Sequence, residues 1–432
     1  MISIKKRPEE FHSELEAYYD KEEGNVRNIT FQVTDRCNMA CTYCYQINKG
    51  TRRMSFETAK KAVDLILSGE KGFKEYLGKV KGVILEFIGG EPFLETELMD
   101  KIIDYFRLRC IETNNELVNR FKVSISSNVT LWKNKEVQDF LDKHKNHLSY
   151  GVSIDGNKQL HDSCRVFSDG SPTYDIAIGA VENWRQKGMN MSSKMTFAPA
   201  NIKYTYEALK NMVELNYDEI NANCVFEPGW KLEDATTYYY ELKKFADYMI
   251  DNNLESKVYF SIFSYDNYTS IDPAEDKNFC GGDGQMLAID PDGKLYPCLR
   301  YMESSLGTTA KPLIIGDVDR GIGTTSCDKN CLNCLKGVTR SSQSTEECFN
   351  CPIAQGCSWC SALNYQLFGT LHHRTTYTCD MHRAQSLANC YFINRLNKER
   401  NDSFRLEIKC PKDKAINIIG EDEYIFLENL SK

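Results

Sequence analysis

No apolar run in this 432-residue chain approaches the ~18 residues of a membrane span. The N-terminus, Met1-Ile-Ser-Ile-Lys-Lys-Arg-Pro, turns acidic without the apolar stretch of a secretory signal. No internal repeat or low-complexity tract stands out. Positive charge is the minority sign: the net charge of −8 weighs against a nucleic-acid partner. These absences argue against a membrane-spanning or secreted protein, and a cytoplasmic location is expected.

Cysteine, by contrast, is abundant. Eighteen cysteines would suggest a disulfide scaffold in a small secreted chain. Here the chain is too long to need such staples, and its cysteines are bunched at metal-ligand spacings. Hydrophobic residues at 41% and charged residues at 26% suit a globular protein with a substantial core. The length fits two or three domains, although barrels run long as one.

Residues 27–252 read as alternating strands (27–33, 82–89, 121–129, 148–155, 191–198, 219–226) and helices (55–68, 95–110, 134–145, 173–188, 203–215, 233–252). Such alternation implies an α/β fold with parallel strands and right-handed crossovers. Residues 1–26 form an N-terminal helical segment, with a helix over Glu9–Tyr19, and 253–279 form a bridge. Residues 280–380, rich in Cys, Gly, Ser and Thr, make a domain best held together by metal. The segment 381–432 begins with a helix over 381–400 and continues with two short strand-like runs, Phe404–Ile408 and Tyr424–Leu427.

Directly after the first strand comes Thr34-Asp-Arg-Cys37-Asn-Met-Ala-Cys41-Thr-Tyr43-Cys44-Tyr45, a C-x3-C-x2-C loop without histidine. Closed iron–sulfur sites usually take four cysteines, and structural zinc takes four ligands. Three thiolates therefore mean either a cluster with an open position or a zinc ion borrowing a distant fourth ligand. The loop, with aromatic Tyr43 before its last cysteine, resembles the signature of radical S-adenosylmethionine (SAM) enzymes. That resemblance implies a partial (β/α)6 barrel of the TIM type, open on one side. It also implies a [4Fe–4S] cluster at Cys37, Cys41 and Cys44 whose open iron binds SAM. Reduction then cleaves SAM to a 5′-deoxyadenosyl radical that takes a hydrogen from substrate. In parallel barrels the chemistry sits at the C-terminal strand ends, where this loop lies.

Further motifs follow in order. Gly89-Gly90-Glu91-Pro92 after the second strand reads as a plain turn or as a close backbone approach to a ligand. It is similar to the family's GGEP motif, whose backbone and acid contact SAM's amino group. Asn128, ending the third strand, is a ribose-contact candidate, although the family's following glycine is missing. Gly151-Val-Ser153-Ile-Asp155-Gly156, then His161-Asp-Ser-Cys-Arg165, resembles a run in radical SAM enzymes with a SPASM extension. By that resemblance Ser153 and Arg165 contact SAM's ribose or carboxylate, and the guanidinium fork suits a carboxylate. Asp155 and His161 either share this task or order the loop.

Cys280-x12-Gly293-x4-Cys298, Cys348-x2-Cys351-x5-Cys357-x2-Cys360 and Cys379 resemble the seven-cysteine SPASM domain, apart from x2 where x3 is common. The resemblance implies two auxiliary [4Fe–4S] clusters, three in all. Cys348, Cys351, Cys357 and Cys379 would close one, while Cys280, Cys298 and Cys360 would leave the other with an open iron. Zinc ribbons use the same C-x2-C pairs and remain an alternative. Cys327-x3-Cys331-x2-Cys334 falls outside the pattern: a fourth ligand, a zinc site or a further cluster are all open. Cys110, Cys164, Cys224, Cys390 and Cys410 read as inert buried thiols.

SPASM-type enzymes mostly modify ribosomally made peptides (RiPPs). The runs at 348–365 and 376–382 resemble maturases of small cysteine-repeat peptides, which implies thioether formation between a peptide Cys and a side-chain carbon of a Cys-rich precursor. Alternatives are carbon–carbon crosslinking, epimerisation, sulfatase maturation to formylglycine, or action on a small cofactor precursor. Sulfatase maturases commonly carry Asp after the cysteine matching Cys298; here it is Leu299. A flavodoxin or ferredoxin is the expected electron donor. With 26 residues before the first strand, leader capture is expected of a separate protein, or of 401–432 with residues 1–26. No general base is assignable.

Overall fold

Ile29, Phe31 and Val33 alternate along β1 (Asn25–Thr34) with Thr30, Gln32 and Thr34, and all six are buried. A strand buried on both faces belongs in the middle of a sheet with covered faces. The computed structural model, which describes residues 2–6, 24–189, 192–278, 280–282 and 284–432, places it there. β1 pairs in parallel with β2 (Val80–Gly89), and Phe31 meets Phe87 across the pair at 5.7 Å between ring centroids. β3 (Phe121–Ser127), β4 (Leu148–Ser153), β5 (Ser192–Phe197), β6 (Glu219–Cys224) and the short β7 (Tyr259–Phe260) extend the sheet in parallel.

Helical crossovers join them: α1 (Phe56–Ser68), α2 (Thr96–Glu112), α3 (Lys135–His144), α4 (Tyr174–Gln186), α5 (Thr205–Glu214) and then α6 (Leu232–Asp251). Local signals set the ends of α1. The Ser55 hydroxyl accepts from the Thr58 amide at 3.0 Å, and Gly69, at φ 64°, closes the helix in the left-handed region. The parallel α/β class and all six expected strands and crossover helices are present, with ends within two residues of expectation.

The other edge of the sheet is unlike the expectation. The cysteine-rich segment continues it: β8 (Met286–Ile289) pairs with β1 in parallel, and β9 (Lys294–Tyr296), β10 (Gly316–Asp317) and β11 (Gly321–Ile322) follow antiparallel. Beyond them lie α7 (Ser326–Lys336), α8 (Ser361–Phe368), α9 (Cys379–Glu399), α10 (Lys412–Ile419) and α11 (Glu421–Leu430). α9 packs on α6, where Tyr391 donates to Asp247 at 2.6 Å, and on the segment after β7, where Phe392 stacks on Phe263 at 4.3 Å. Truncating Phe392 to alanine would cost ~3–5 kcal/mol.

Two expected strand runs are not strands. Phe404–Ile408 has no regular structure, because the buried Asn394 side chain takes the place of a strand partner. Its Oδ1 accepts from Leu406 N at 2.6 Å, and its Nδ2 donates to Leu406 O at 2.9 Å. Tyr424–Leu427 lies inside α11, where Tyr424 and Leu427 share the buried face at i, i+3. The helix expected over Glu9–Tyr19 lies outside the described residues. No described helix is long and apolar enough to cross a membrane.

Candidate active site

A cavity of about 580 Å³ opens at the C-terminal ends of β1 to β6. The strand period chooses its lining: Glu86 and Ile88 from β2, Ser126 and Asn128 at the end of β3, Lys194 and Thr196 from β5. Cys37, Cys41 and Cys44 line it from the loop after β1. That loop is stitched on two sides. Ala40 N and Thr42 N donate to Val166 O and Cys164 O at 2.8 and 3.0 Å; opposite, Gly90 N and Glu91 N donate to Thr34 O and Arg36 O at 3.0 and 2.9 Å.

The glycine motif lines the cavity and has a packing reason as well. A Cβ on Gly90 would stand 2.3 Å from Arg36 O and 2.6 Å from the Cys37 Cβ, so only glycine lets this strand end support the cysteine loop. Glu91 is buried, and its carboxylate accepts from Ser127 Oγ (2.7 Å), Asn128 N (2.8 Å) and Phe93 N (3.1 Å). Burial still outweighs these bonds and raises its pKa to about 7. Asn128 is tied to the loop as well, its Nδ2 donating to Asn38 Oδ1 at 2.9 Å.

Asp155 is the hub of the opposite wall. Arg165 forks onto it (2.8 and 3.3 Å), Tyr43 donates its hydroxyl to it, and Thr196 N donates at 3.1 Å. The Arg165 guanidinium also lies 5.3 Å over the Tyr43 ring. His161 is buried, accepting at Nδ1 from Asp155 N (3.3 Å), and its pKa falls to about 4, chiefly by burial. Both residues thus order the loop. Ser153 and Arg165 line the cavity beside the cysteines.

The donor set fits a cationic metal centre. Burial pushes the Cys37 thiol up to about 11 and raises Cys41 against Arg165 and Lys49. Such thiols stay protonated unless metal charge compensates the thiolate. Among the described residues no three His, Cys, Asp or Glu side chains gather tightly enough for one ion. Cluster thiolates, each on its own iron, stand further apart.

The later cysteines fall into three groups. Cys280 Sγ and Cys298 Sγ lie 3.6 and 3.7 Å from where a Cβ on Gly282 would be, a cradle that a side chain would fill. Burial raises the Cys298 pKa, and Cys360 and Cys280 push the same way. Cys357 rises to about 11 by burial, eased by Arg374 and reinforced by Cys379, Cys348 and Cys351. Arg374 Nη2 donates to its sulfur at 2.9 Å. Cys327, Cys331 and Cys334 stand apart on α7. Cys110, Cys164, Cys390 and Cys410 are buried; neither Cys164 nor Cys224 lines the large cavity.

Several cavity residues escaped sequence reasoning. Arg300 pairs with Glu227 at 2.7 Å and lies 4.8 Å over the Tyr45 ring, joining the first cysteine loop to the neighbourhood of Cys298. A separation of 73 residues hides this pair. Glu86, which accepts from Thr30 Oγ1 at 2.5 Å, did carry a signal as a carboxylate within an apolar strand. Leu299 and Ser358 complete the wall.

Residues 31–216 match the Radical SAM superfamily. The radical SAM cyclopropyl synthase TigE of Paramaledivibacter caminithermalis is 22% identical over 424 residues, 92% of this chain and 81% of that protein. The antilisterial bacteriocin subtilosin biosynthesis protein AlbA of Bacillus subtilis is 24% identical over 288 residues, 65% of this chain. The match spans only 56% of AlbA's own length. Among solved structures, native anSMEcpe with bound AdoMet and Kp18Cys peptide shares the fold. Its TM-score is 0.62 at 18% identity, covering 87% of this chain and 99% of that one.

Proposed function

We propose that this chain is a radical SAM peptide maturase that forms thioether crosslinks in a ribosomally made, Cys-rich peptide. One observation carries the reading. A single cavity is lined both by Cys37, Cys41 and Cys44 and by Leu299 and Arg300, which follow Cys298 in sequence, and Ser358, which lies between Cys357 and Cys360. A peptide lying in it would face the first thiol group and touch the segments that carry the second.

In this reading Cys37, Cys41 and Cys44 hold the SAM cluster; Gly89, Gly90, Glu91, Asn128, Ser153, Arg165 and Tyr43 form the SAM wall. Cys348, Cys351, Cys357 and Cys379 close one auxiliary cluster of a SPASM domain over 280–380. Cys280, Cys298 and Cys360 hold another, giving three [4Fe–4S] clusters. When bound, SAM and its cluster supply one-electron chemistry that removes a hydrogen atom from a substrate carbon. The protein's part is to hold the peptide and exclude water. Arg300 and Glu227 fix the wall where the peptide's sulfur would approach the three-thiol site, which leaves a coordination position for it. Overall, one S–H and one C–H bond break and one S–C bond forms: the carbon's hydrogen atom would leave on 5′-deoxyadenosine, the thiol's proton would pass to solvent, and the electron released on bond formation would return to the auxiliary cluster, so the product is lighter by two hydrogens. A flavodoxin or ferredoxin supplies the electron. Leu299 puts an apolar group where the sulfatase-maturase pattern has its acid.

A second reading, carbon–carbon bond formation, is favoured by the TigE match across nearly the whole chain. One experiment separates them. Anaerobically reconstituted protein, SAM and reductant are incubated with a candidate Cys-rich precursor peptide, then mass and alkylatable thiols are measured. Loss of two hydrogens with loss of one thiol supports the thioether. Loss of two hydrogens with all thiols intact selects carbon–carbon bonding. Unchanged mass in water with deuterium gained from D2O means epimerisation and rejects both.

A further inference from the structure

Helix α7 carries Cys327, Cys331 and Cys334 at i, i+4 and i+7. At about 100° per residue the three fall within about 60° of arc, a single stripe. Cysteine is among the residue types most often buried. Yet Cys327 and Cys334 are exposed and Cys331 is half-buried. The packed face of the helix is a different one: Asp328 and Leu335 are buried, and Leu332 reaches Gly323.

The helix is fixed at its start by a reciprocal cap. Asp328 N donates to Thr325 Oγ1 at 3.1 Å, and Thr325 N donates to the Asp328 carboxylate at 3.0 Å. Cys327 therefore sits in the first turn, where amide N–H groups and the helix dipole favour negative charge. The three thiols are close enough to act on one another. Burial raises Cys331 to about 11, and both Cys327 and Cys334 push the same way. Tyr365 of α8 stands beside Cys331 and Cys334. Its ring centroid is 6.3 Å from that of Tyr301, itself within electrostatic reach of Cys298, Cys360 and Cys280.

Geometry decides what such a stripe can bind. Zn–S bonds of ~2.3 Å in a tetrahedron need sulfurs ~3.8 Å apart. Residues 327 and 334 are displaced by ~10.5 Å along the helix, so side chains leaning fully inward by ~2.8 Å each leave their sulfurs about 5 Å apart. One zinc ion cannot take all three from an intact helix, whereas a cluster presenting a separate iron to each thiolate can. We infer that Cys327, Cys331 and Cys334 hold a further iron–sulfur cluster of the four-iron type, at the surface and linked to the Cys298 group through Tyr365 and Tyr301.

The test compares the full chain, reconstituted anaerobically, with a variant carrying Cys327→Ala, Cys331→Ala and Cys334→Ala. Iron, sulfide and zinc per chain are measured alongside the EPR spectrum after reduction. The variant is expected to lose about four irons and four sulfides, with one reduced-cluster signal. Equal iron in the two proteins overturns the inference, and so does loss of one zinc with iron unchanged. Cys334→Ser alone, at an exposed position, gives the same comparison should the triple variant misfold; iron equal to that of the unmodified chain again overturns it. Because the readout is a difference between chains, it holds whatever number of clusters the other cysteines carry.

Discussion

C-x3-C-x2-C occurs twice in this chain, on two unlike backbones. Cys37, Cys41 and Cys44 lie on an irregular loop after a buried strand and line a cavity. Cys327, Cys331 and Cys334 lie on an 11-residue helix, in an outward stripe. A loop can turn three thiols onto one small centre and leave a face free for a ligand. A helix fixes their spacing along its axis and leaves them at the surface. Spacing names the ligands; the backbone beneath them decides whether they face a cavity or the surface.

The largest expected difference tests that contrast directly. Cys41→Ala should cut SAM cleavage by more than the ~100-fold typical of losing a merely supporting partner, while Cys331→Ala should leave it within about twofold. Quantifying 5′-deoxyadenosine by chromatography checks both, and equal losses would break the comparison. Next is the loop's support. Gly90→Val, colliding with Arg36 O and Cys37, should displace the cysteine loop, lower SAM-cluster iron and cost ~1–3 kcal/mol in urea unfolding. Gly323→Ala, strained only by its φ of +68° beside a movable Leu332, should cost ~1 kcal/mol and leave that cluster intact.

Glu91, buried beneath the first loop, sharpens the contrast by pH. A carboxyl whose folded pKa of about 7 exceeds its unfolded value binds more protons when folded. Its contribution to stability is present at low pH and is lost as pH rises from about 4.5 to about 7. Relative to Glu91→Gln, the cluster-free wild type should lose about 2–3 kcal/mol between pH 5 and pH 7.5. A difference independent of pH would show that Glu91 is not held this way. The smallest effect is that of Arg165→Lys. Losing the fork on Asp155 should weaken SAM binding about tenfold in equilibrium binding, with no change in iron content.

Much of the barrel was legible because its signals are local. Alternating apolar residues marked β1 to β6, and Ser55 with Gly69 bracketed α1. The cysteine groups were legible by spacing, and the structure gathers Cys357 with Cys379, Cys348 and Cys351, and Cys298 with Cys360 and Cys280. What escaped was non-local. β8 is four residues long and gains its identity from β1, more than 250 residues earlier in the chain. Asn394 replaces a strand partner for Leu406, which no periodicity announces. Gly90 reads as a ligand contact or a turn, and no local pattern announces its close approach to the Arg36 backbone.

We propose that the cavity lined by Cys37, Cys41 and Cys44 is where a peptide loses hydrogen. The direct test uses the precursor peptide deuterated at the side-chain carbon of the modified residue, and follows deuterium into 5′-deoxyadenosine by mass spectrometry. Transfer of one deuterium per modified peptide is the predicted result. Modified peptide with unlabelled 5′-deoxyadenosine, or SAM cleavage indifferent to the peptide, would contradict it.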